Sequence, residues 1–600
     1  MTAADLGPMV RAKNARIEQF RRDRRMSTAA DDDTLASLTP ARGLSAVLDR
    51  AVRSHGRAAA LLVAFCLIAF LPGFFRIPPV DRDEARFAQA TKQMVETGEY
   101  VDIRFQNRVR YKKPIGIYWL QAAAVKAGQA VGVPHALTTI WLYRLPSLFG
   151  ATGAVLLTYW AALAFVSRRA AVLAALMMAS SIVLGVEARL AKTDAVLLLT
   201  CVAAMGAMAR IYLAHRRAPE APAGWRWPAI LWTAMGAGVL IKGPVIVMVA
   251  ALAALVLAIL DRSARFVLKL RPFIGVLWML ALVAPWFAAI MAKSGTRFFT
   301  DAVGHDMLAK VASGQEAHGA PPGYYLLLFF VTFWPAAPLA GLAAPRVWQA
   351  RKEPGARFLL AWLIPSWLVF EAVVTKLPHY VLPLYPAIAI LIAGILDAGG
   401  LGKTRWIMRG TVGWFLFPVI VALAVLLGFL LLFKDLGLVA WPSAAAAVIF
   451  GLFAWWLYEV DGPERALLRA SVASVFVAVT VYAATLPAMP ALFPSKLIAD
   501  EIRKTDCQPA RVVATDYYEE PSLVFLLGTD TLFTNGARAA EFLSAGPCRF
   551  ALVDQNNQRT FVQRANAIAL RYALLARVDG FNISIGRPVS LTVFRSMAAP

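Results

Sequence analysis

The chain has 600 residues, of which 59% are apolar and 16% charged, with a formal net charge of +24 and a mean hydropathy of +0.59. That balance excludes an ordinary water-soluble globular protein. The basic excess does not point to nucleic acid, because it sits in short loops between apolar runs and in the N-terminal tail, as topology-setting Lys and Arg do.

Residues 1–57 are polar and read as a disordered, basic cytoplasmic tail, with Arg21, Arg22, Arg24 and Arg25 followed by Asp31 to Asp33. The first apolar run begins only near Ala58, too late for a signal peptide. Ala12 to Met26 has the makings of a basic surface helix, and both lipid binding and a plain topology signal account for it.

Thirteen apolar runs follow, at about 58–75, 139–166, 170–187, 194–213, 228–241, 244–260, 272–292, 323–344, 357–374, 380–397, 411–433, 440–459 and 467–487. They predict a polytopic α-helical membrane domain over 58–490 with about 13 transmembrane helices. A β-barrel would show short alternating segments instead. With a cytoplasmic N-terminus, the inside loops carry Arg168-Arg169, Arg216-Arg217, Arg262 to Arg271, Arg346 to Arg357, Lys403 to Arg409, and Arg465 with Arg469. All are short and basic, so the positive-inside rule holds and the C-terminus lies outside.

After about Ser495 the composition changes. Arg511 to Thr515, Thr531 to Thr534 and Arg549 to Val553 read as strands separated by helices, and 570–597 as a hairpin. This predicts a small soluble α/β domain over 495–600 on the periplasmic side. Cys66 and Cys201 fall in apolar runs and read as packing residues; Cys507 and Cys548 each precede a predicted strand and meet if those strands are neighbours.

The first outer loop, 76–138, is the most charged segment beside a predicted span. Asp83 to Thr97 has helical apolar spacing closed by Gly98, and Ile115 to Val125 follows Pro114, so two surface helices are predicted. Asp81, Asp83, Glu84, Arg86, Tyr111, Lys112 and Lys113 lie in this loop. Other outer turns supply Glu187, Arg189, Lys192 and Asp194, then Lys242, His305 and Asp306, then Lys376, His379 and Tyr380. Each alone reads as a solvated loop charge. Together they suggest a site that holds an anion: Arg and Lys suit a phosphate headgroup, and a carboxylate among them suits a general base toward a hydroxyl. Nucleotide sugars are not at hand outside the cell, so a lipid-borne phosphate donor fits the chemistry.

Asp83 to Phe87, Lys113-Pro114 with Tyr118-Trp119, Lys242-Gly243-Pro244 and Thr375 to Pro386 together resemble the bacterial 4-amino-arabinose lipid A transferases. More broadly, they resemble the GT-C membrane glycosyltransferases related to protein O-mannosyltransferases. The resemblance runs from about residue 58 to 400. It implies inverting transfer of a sugar from a polyprenyl-phosphate donor to lipid A, lipopolysaccharide or another envelope glycan, at the periplasmic face of a bacterial inner membrane. Transfer to secreted protein is the alternative within the class.

The resemblance makes Asp83 the catalytic base, Asp194 a second functional aspartate, and Arg86, Lys113 and Tyr380 donor-phosphate ligands. Glu84, Tyr111, Lys112, Lys242, Lys376 and His379 are supporting residues. In the aminoarabinose enzymes an acid before the Lys-Pro pair lies in a metal-binding region with a histidine. Here Lys112 holds that place and His305 is the nearest metal candidate. A cation there weakens a divalent site, so no cofactor is assigned, and a hexose, uronic acid or pentose fits equally as the sugar. A transporter or flippase would also be polytopic, but it calls for midplane charges and repeated halves that the sequence does not show.

Overall fold

The computed structural model describes residues 43–220, 224–301, 319–401, 405–507 and 509–597. The chain divides into two units, Met1–Arg57 and Ala58–Pro600. The described part of the first contains the helix Leu44–Ala51. The predicted basic helix at 12–26 lies outside the described residues.

In the second unit every predicted apolar run coincides with helix. Among the described residues, seven helices are long and apolar enough to cross a bilayer: Ile140–Ala162, Asp194–Arg217, Pro272–Ser294, Pro354–Ala372, Gly410–Phe433, Leu438–Trp456 and Tyr458–Ala488. Three shorter apolar helices join them, His55–Phe70, Val245–Leu260 and Leu382–Asp397. Length and apolarity thus mark fewer crossings than the thirteen runs suggested, because some runs fold as shorter or broken helices. The run at 170–187 splits into Arg168–Ser180 and Ile182–Glu187, where the Ser180 and Ser181 hydroxyls donate to Leu176 O and Met178 O, each at 2.7 Å. The run at 323–344 breaks between Tyr324–Thr332 and Ala337–Gln349, around Pro335.

The helix Asp83–Thr97 forms as the apolar spacing requires, with Asp83 and Glu84 in its first turn and Gly98 closing it at φ +73°. It does not lie open to water on its polar face, as an amphipathic surface helix would. Gln89, Thr91 and Lys92 are buried with the apolar side chains. Gln89 Nε2 donates to Thr529 Oγ1 at 2.8 Å, Lys92 Nζ to Phe525 O at 2.9 Å, and Thr91 Oγ1 to Gln121 Oε1 at 2.7 Å. The polar face has exchanged water for the C-terminal domain. A hairpin of β1 (Arg104–Phe105) and β2 (Arg108–Val109) follows, and Gln106 Nε2 at its turn donates to Thr529 O and Thr531 O. The second loop helix runs from Gly116 to Ala130.

One buried ion pair ties these parts together. Arg144, inside the span Ile140–Ala162, is wholly buried and uses every guanidinium donor. It donates to Glu84 Oε1 and Oε2, both at 2.8 Å, and to Phe74 O, Ile77 O and Pro78 O at 3.0, 2.9 and 3.0 Å. Glu84 also accepts Val80 N and Ala191 N, both at 2.9 Å. The pair therefore fixes the exit of the first helix, the start of the loop helix and the turn before Asp194.

The C-terminal domain is a five-stranded sheet in the order β4 (Leu532–Thr534), β3 (Arg511–Thr515), β5 (Arg549–Asp554), β7 (Arg587–Ser596), β6 (Tyr572–Asn582). The β4-β3-β5 part is parallel, and β7 and β6 form the predicted antiparallel hairpin. Alternate residues feed two cores, Val512, Ala514, Phe550 and Leu552 on one face and Val513, Ala551 and Val553 on the other. Because Arg511 pairs with Arg549, the residues before those strands approach, and Cys507 and Cys548 form a disulfide with Cα atoms 5.0 Å apart.

Arg144→Met leaves Glu84 buried without its counter-charge and should cost about 3–5 kcal/mol. Glu84→Gln combined with Arg144→Met should recover part of that loss, because the amide keeps an acceptor for Val80 N or Ala191 N without a charge. Denaturant unfolding of the detergent-solubilised protein measures both. Equal stability of the single variant and wild type would refute the role of the pair.

Candidate active site

A cavity of about 270 Å³ opens where four segments converge: the loop at 80–84 with Arg110 to Lys113, the turn at 190–194, Lys242, and the stretch Thr375 to Tyr380. Local structure explains how each side chain arrives. Asp83 and Asp194 are first residues of helices, where the backbone dipole favours an anion. Lys242 ends the helix Arg226–Lys242, where the dipole favours a cation, and Gly243 at φ +69° turns the chain into Pro244 and the next helix. His379 and Tyr380 sit in the turn before Leu382.

Of the residues singled out by sequence, Asp83, Glu84, Lys112, Lys113, Asp194, Lys242, His379 and Tyr380 line this cavity. Glu84 only borders it, since both its oxygens are held by Arg144. Two others face elsewhere. The Tyr111 hydroxyl donates to Asp102 Oδ1 at 2.7 Å, and Lys376 Nζ donates to Ala320 O and Val373 O at 3.0 and 2.6 Å, a structural rather than an open cation. Arg86 is absent from the lining, and its charge acts on Asp81 and Glu520. His305 lies outside the described residues.

Further lining residues were given no role from sequence: Asp81, Arg82, Arg110, Lys192 and Thr193. Lys192 and Asp81 stood in the charged turns but had no motif to set them apart. Arg82 and Arg110 looked like any loop arginine; Arg110 lies over the Phe87 ring at 5.4 Å.

The charges are arranged in pairs. Lys242 Nζ donates to Asp194 Oδ1 and stands 5.0 Å over the Tyr380 ring. Lys192 Nζ donates to Glu187 Oε1 at 3.1 Å. His379 bridges the two acids, with Nδ1 3.5 Å from Glu187 and Nε2 3.6 Å from Asp194. Burial works against the charge of Lys192, but Glu187, Asp194 and Asp83 outweigh it and hold the ammonium well above its usual range. Burial pushes His379 far below the ordinary imidazole value despite the pull of Asp194, and Lys192, Lys242 and Lys113 reinforce that, so its ring is neutral.

Glu187, Asp194 and His379 each bring one possible ligand atom within 4.8 Å of the others, which makes them, rather than His305, the metal candidate among the described residues. Glu187 Oε2 is buried without a hydrogen-bond partner among those residues. Two ammonium groups nevertheless already neutralise the acids, and Lys112, where a carboxylate ligand was expected, has no lone pair to offer. The donor set does not fit a divalent ion.

The helices, their breaks and the appended α/β sheet define a polytopic membrane protein with a small C-terminal sheet domain. Residues 112–292 match the dolichyl-phosphate-mannose-protein mannosyltransferase family. Its fold is that of ArnT: the crystal structure of ArnT from Cupriavidus metallidurans bound to undecaprenyl phosphate superposes with a TM-score of 0.68 at 19% identity, covering 90% of this chain and 99% of that one. In sequence the chain is similar to the undecaprenyl phosphate-alpha-4-amino-4-deoxy-L-arabinose arabinosyl transferase of Erwinia tasmaniensis, 29% identical over 358 residues, 58% of this chain and 60% of the relative. The corresponding enzyme of Edwardsiella ictaluri is 26% identical over 418 residues, 67% of this chain and 70% of the relative. The chain spans about three fifths of the length of the first curated relatives it matches, at 60%, 58% and 60%.

If the two lysines take the place of an ion, their removal should create an affinity for one. Replacing Lys192 and Lys242 by Met should leave a protein that Zn²⁺ stabilises by several degrees, about what a ligand present at a hundred times its Kd gives, while wild type does not respond. Thermal shift in a zinc titration checks this; a zinc response in wild type would show that the lysines do not block the site.

Proposed function

We propose that this protein is a glycosyltransferase that moves a sugar from a polyprenyl-phosphate carrier to a hydroxyl of a lipid A-type envelope acceptor, with inversion, on the periplasmic side of a bacterial inner membrane. The observation that carries the reading is that Asp83, Lys113, Lys242 and Tyr380, drawn from distant parts of the chain, line one small cavity. The likeness to aminoarabinose transferases, and to a fold solved with undecaprenyl phosphate, supports it.

In this mechanism the acceptor hydroxyl gives its proton to the Asp83 carboxylate as its oxygen attacks the anomeric carbon. The bond from that carbon to the phosphate oxygen breaks, and the carrier phosphate leaves with the electron pair. Lys113, Arg110 and Arg82, with Lys242 and the Tyr380 hydroxyl, stabilise the charge that develops on it. Asp194 acts by holding Lys242 and His379 in place. Arg86 is assigned to the Asp81 and Glu520 carboxylates rather than to the phosphate. The positive-inside pattern of the loops supports a cytoplasmic N-terminus and a sheet domain on the outer side.

Asp83→Asn should lower turnover by about 10²–10⁴-fold, the usual worth of a general base, while undecaprenyl phosphate still binds. Lys113→Ala should instead raise the donor KM. Mass spectrometry of lipid A and of envelope proteins from cells with and without the gene identifies the acceptor. Full activity of Asp83→Asn would remove the base. Glycosylated protein with unmodified lipid A would favour the protein-directed reading, and lipid-linked sugar crossing vesicles without product would favour a flippase.

A further inference from the structure

Asp81 lines the cavity, yet its carboxylate is held by the C-terminal domain. Oδ1 accepts the Ser522 backbone N–H at 2.8 Å and Oδ2 the Ser522 hydroxyl at 2.7 Å. Ser522 Oγ lies 2.6 Å from Ser495 Oγ, which lies 2.9 Å from the Tyr518 hydroxyl. Two residues further along the chain from Asp81 stands Asp83. The residue between them, Arg82, has φ +66° and ψ −98°, a conformation that costs a non-glycine residue about 1–3 kcal/mol and persists only when its surroundings enforce it. The enforcement comes from both ends. Downstream, Arg86 N donates to Arg82 O at 3.0 Å and Ala85 N to Val80 O at 3.2 Å, while Arg144 grips Glu84. Upstream, Arg144 also holds Ile77 O and Pro78 O and Glu84 accepts Val80 N, and at Asp81 itself the side-chain anchor is Ser522.

We propose that Ser522 is a positioning residue: by holding Asp81 it keeps the strained Arg82 turn closed and sets the Asp83 carboxylate in the cavity, which makes the C-terminal domain a working part of the site. The proposal rests on the reading of Asp83 as the base.

The same contact is sensitive to protons. Burial, then the charge of Glu520, raises Asp81 to about 7 against the Ser522 hydrogen bonds and the pull of Arg86. Glu520 is itself raised by burial, against bonds from Asn582 and Ser584 and the charges of Arg82 and Arg86. Tyr518, raised by burial and then by Asp81, is the other titratable group on this side. The row Asp81, Ser522, Ser495, Tyr518 accommodates either state of Asp81. Protonated, Asp81 donates to Ser522 and the row runs toward Tyr518; ionised, it accepts from Ser522 and every donor reverses. A carboxyl whose folded value exceeds its unfolded one stabilises most below about pH 4, and that contribution is lost as the pH rises to about 7.

The test uses purified full-length wild type, Ser522→Ala, Ser522→Thr and Asp81→Asn in nanodiscs. Hydrogen exchange of peptides covering 78–90 should rise about tenfold or more in Ser522→Ala, leave the sheet of the C-terminal domain unchanged, and return to normal in Ser522→Thr, which keeps both donors. With undecaprenyl-phosphate-linked aminoarabinose and lipid A, Ser522→Ala should lower kcat about tenfold with donor KM within about twofold, the mark of a misplaced reacting group. Asp81→Asn should remove the step near pH 7 from the wild-type kcat profile. Unchanged exchange and kcat in Ser522→Ala would overturn the proposal. So would equal loss in Ser522→Thr, or deprotection spread through the whole C-terminal domain. If no variant, wild type included, turns over with this donor while exchange at 78–90 still follows Ser522, aminoarabinose is not the transferred sugar and the anchor stands.

Discussion

The Glu84–Arg144 pair is the contact on which the rest of the site depends. A guanidinium wholly buried in a span is tolerable only if every donor is met, and here two carboxylate oxygens and three carbonyls meet it. The carbonyls belong to the chain leaving the first helix, where no helical partner remains for them. Glu84 adds acceptors for two backbone N–H groups, one of them at Ala191. Because those groups belong to the strands of chain that carry Asp83 and Asp194, the pair sets the distance between the two acids. Uniform hydrophobic packing could hold the same helices together, but it would not fix their register so closely.

On the cavity side of that pair the charges follow a different logic. Glu187 and Asp194 each have a lysine, and the histidine between them is kept neutral by burial and by the surrounding lysines. Lys113, Lys112 and Arg110 add positive charge at the wall. Positive charge so placed suits an incoming anion.

Much of this was legible in the sequence where physics acts locally. The helix Asp83–Thr97 was marked by its spacing and by Gly98, and the parallel strands by their composition and the turns between them. The cavity residues were visible because charge in short turns between apolar runs is unusual. Arg144 was hidden for the converse reason: one arginine in a long apolar run does not alter its reading as a span, and nothing nearby in sequence announces Glu84 as its partner. Motif proximity says which segment approaches the site, not which way a side chain turns: Tyr111 turns to Asp102, and Lys376 to the Ala320 and Val373 carbonyls. The burial of the polar face of Asp83–Thr97 was hidden in the sequence because its partners, Phe525 and Thr529, lie more than four hundred residues away.

That distance bears on what the C-terminal domain is for. A domain that merely covered a membrane site would need apolar contact and little else. This one reaches the loop helix through directed hydrogen bonds, from Gln89, Lys92 and Gln106 to the 525–531 segment, and it holds a carboxylate that lines the cavity itself. Hydrogen bonds of that kind contribute little net stability each, about 0.5–1.5 kcal/mol, but they are directional. A loop carrying a positive-φ arginine between two aspartates has alternative, less strained shapes available to it, and only directional contacts at both ends select one. The membrane span holds the chain on both sides of the turn through Arg144, and the sheet domain adds the contact at Asp81 itself through Ser522.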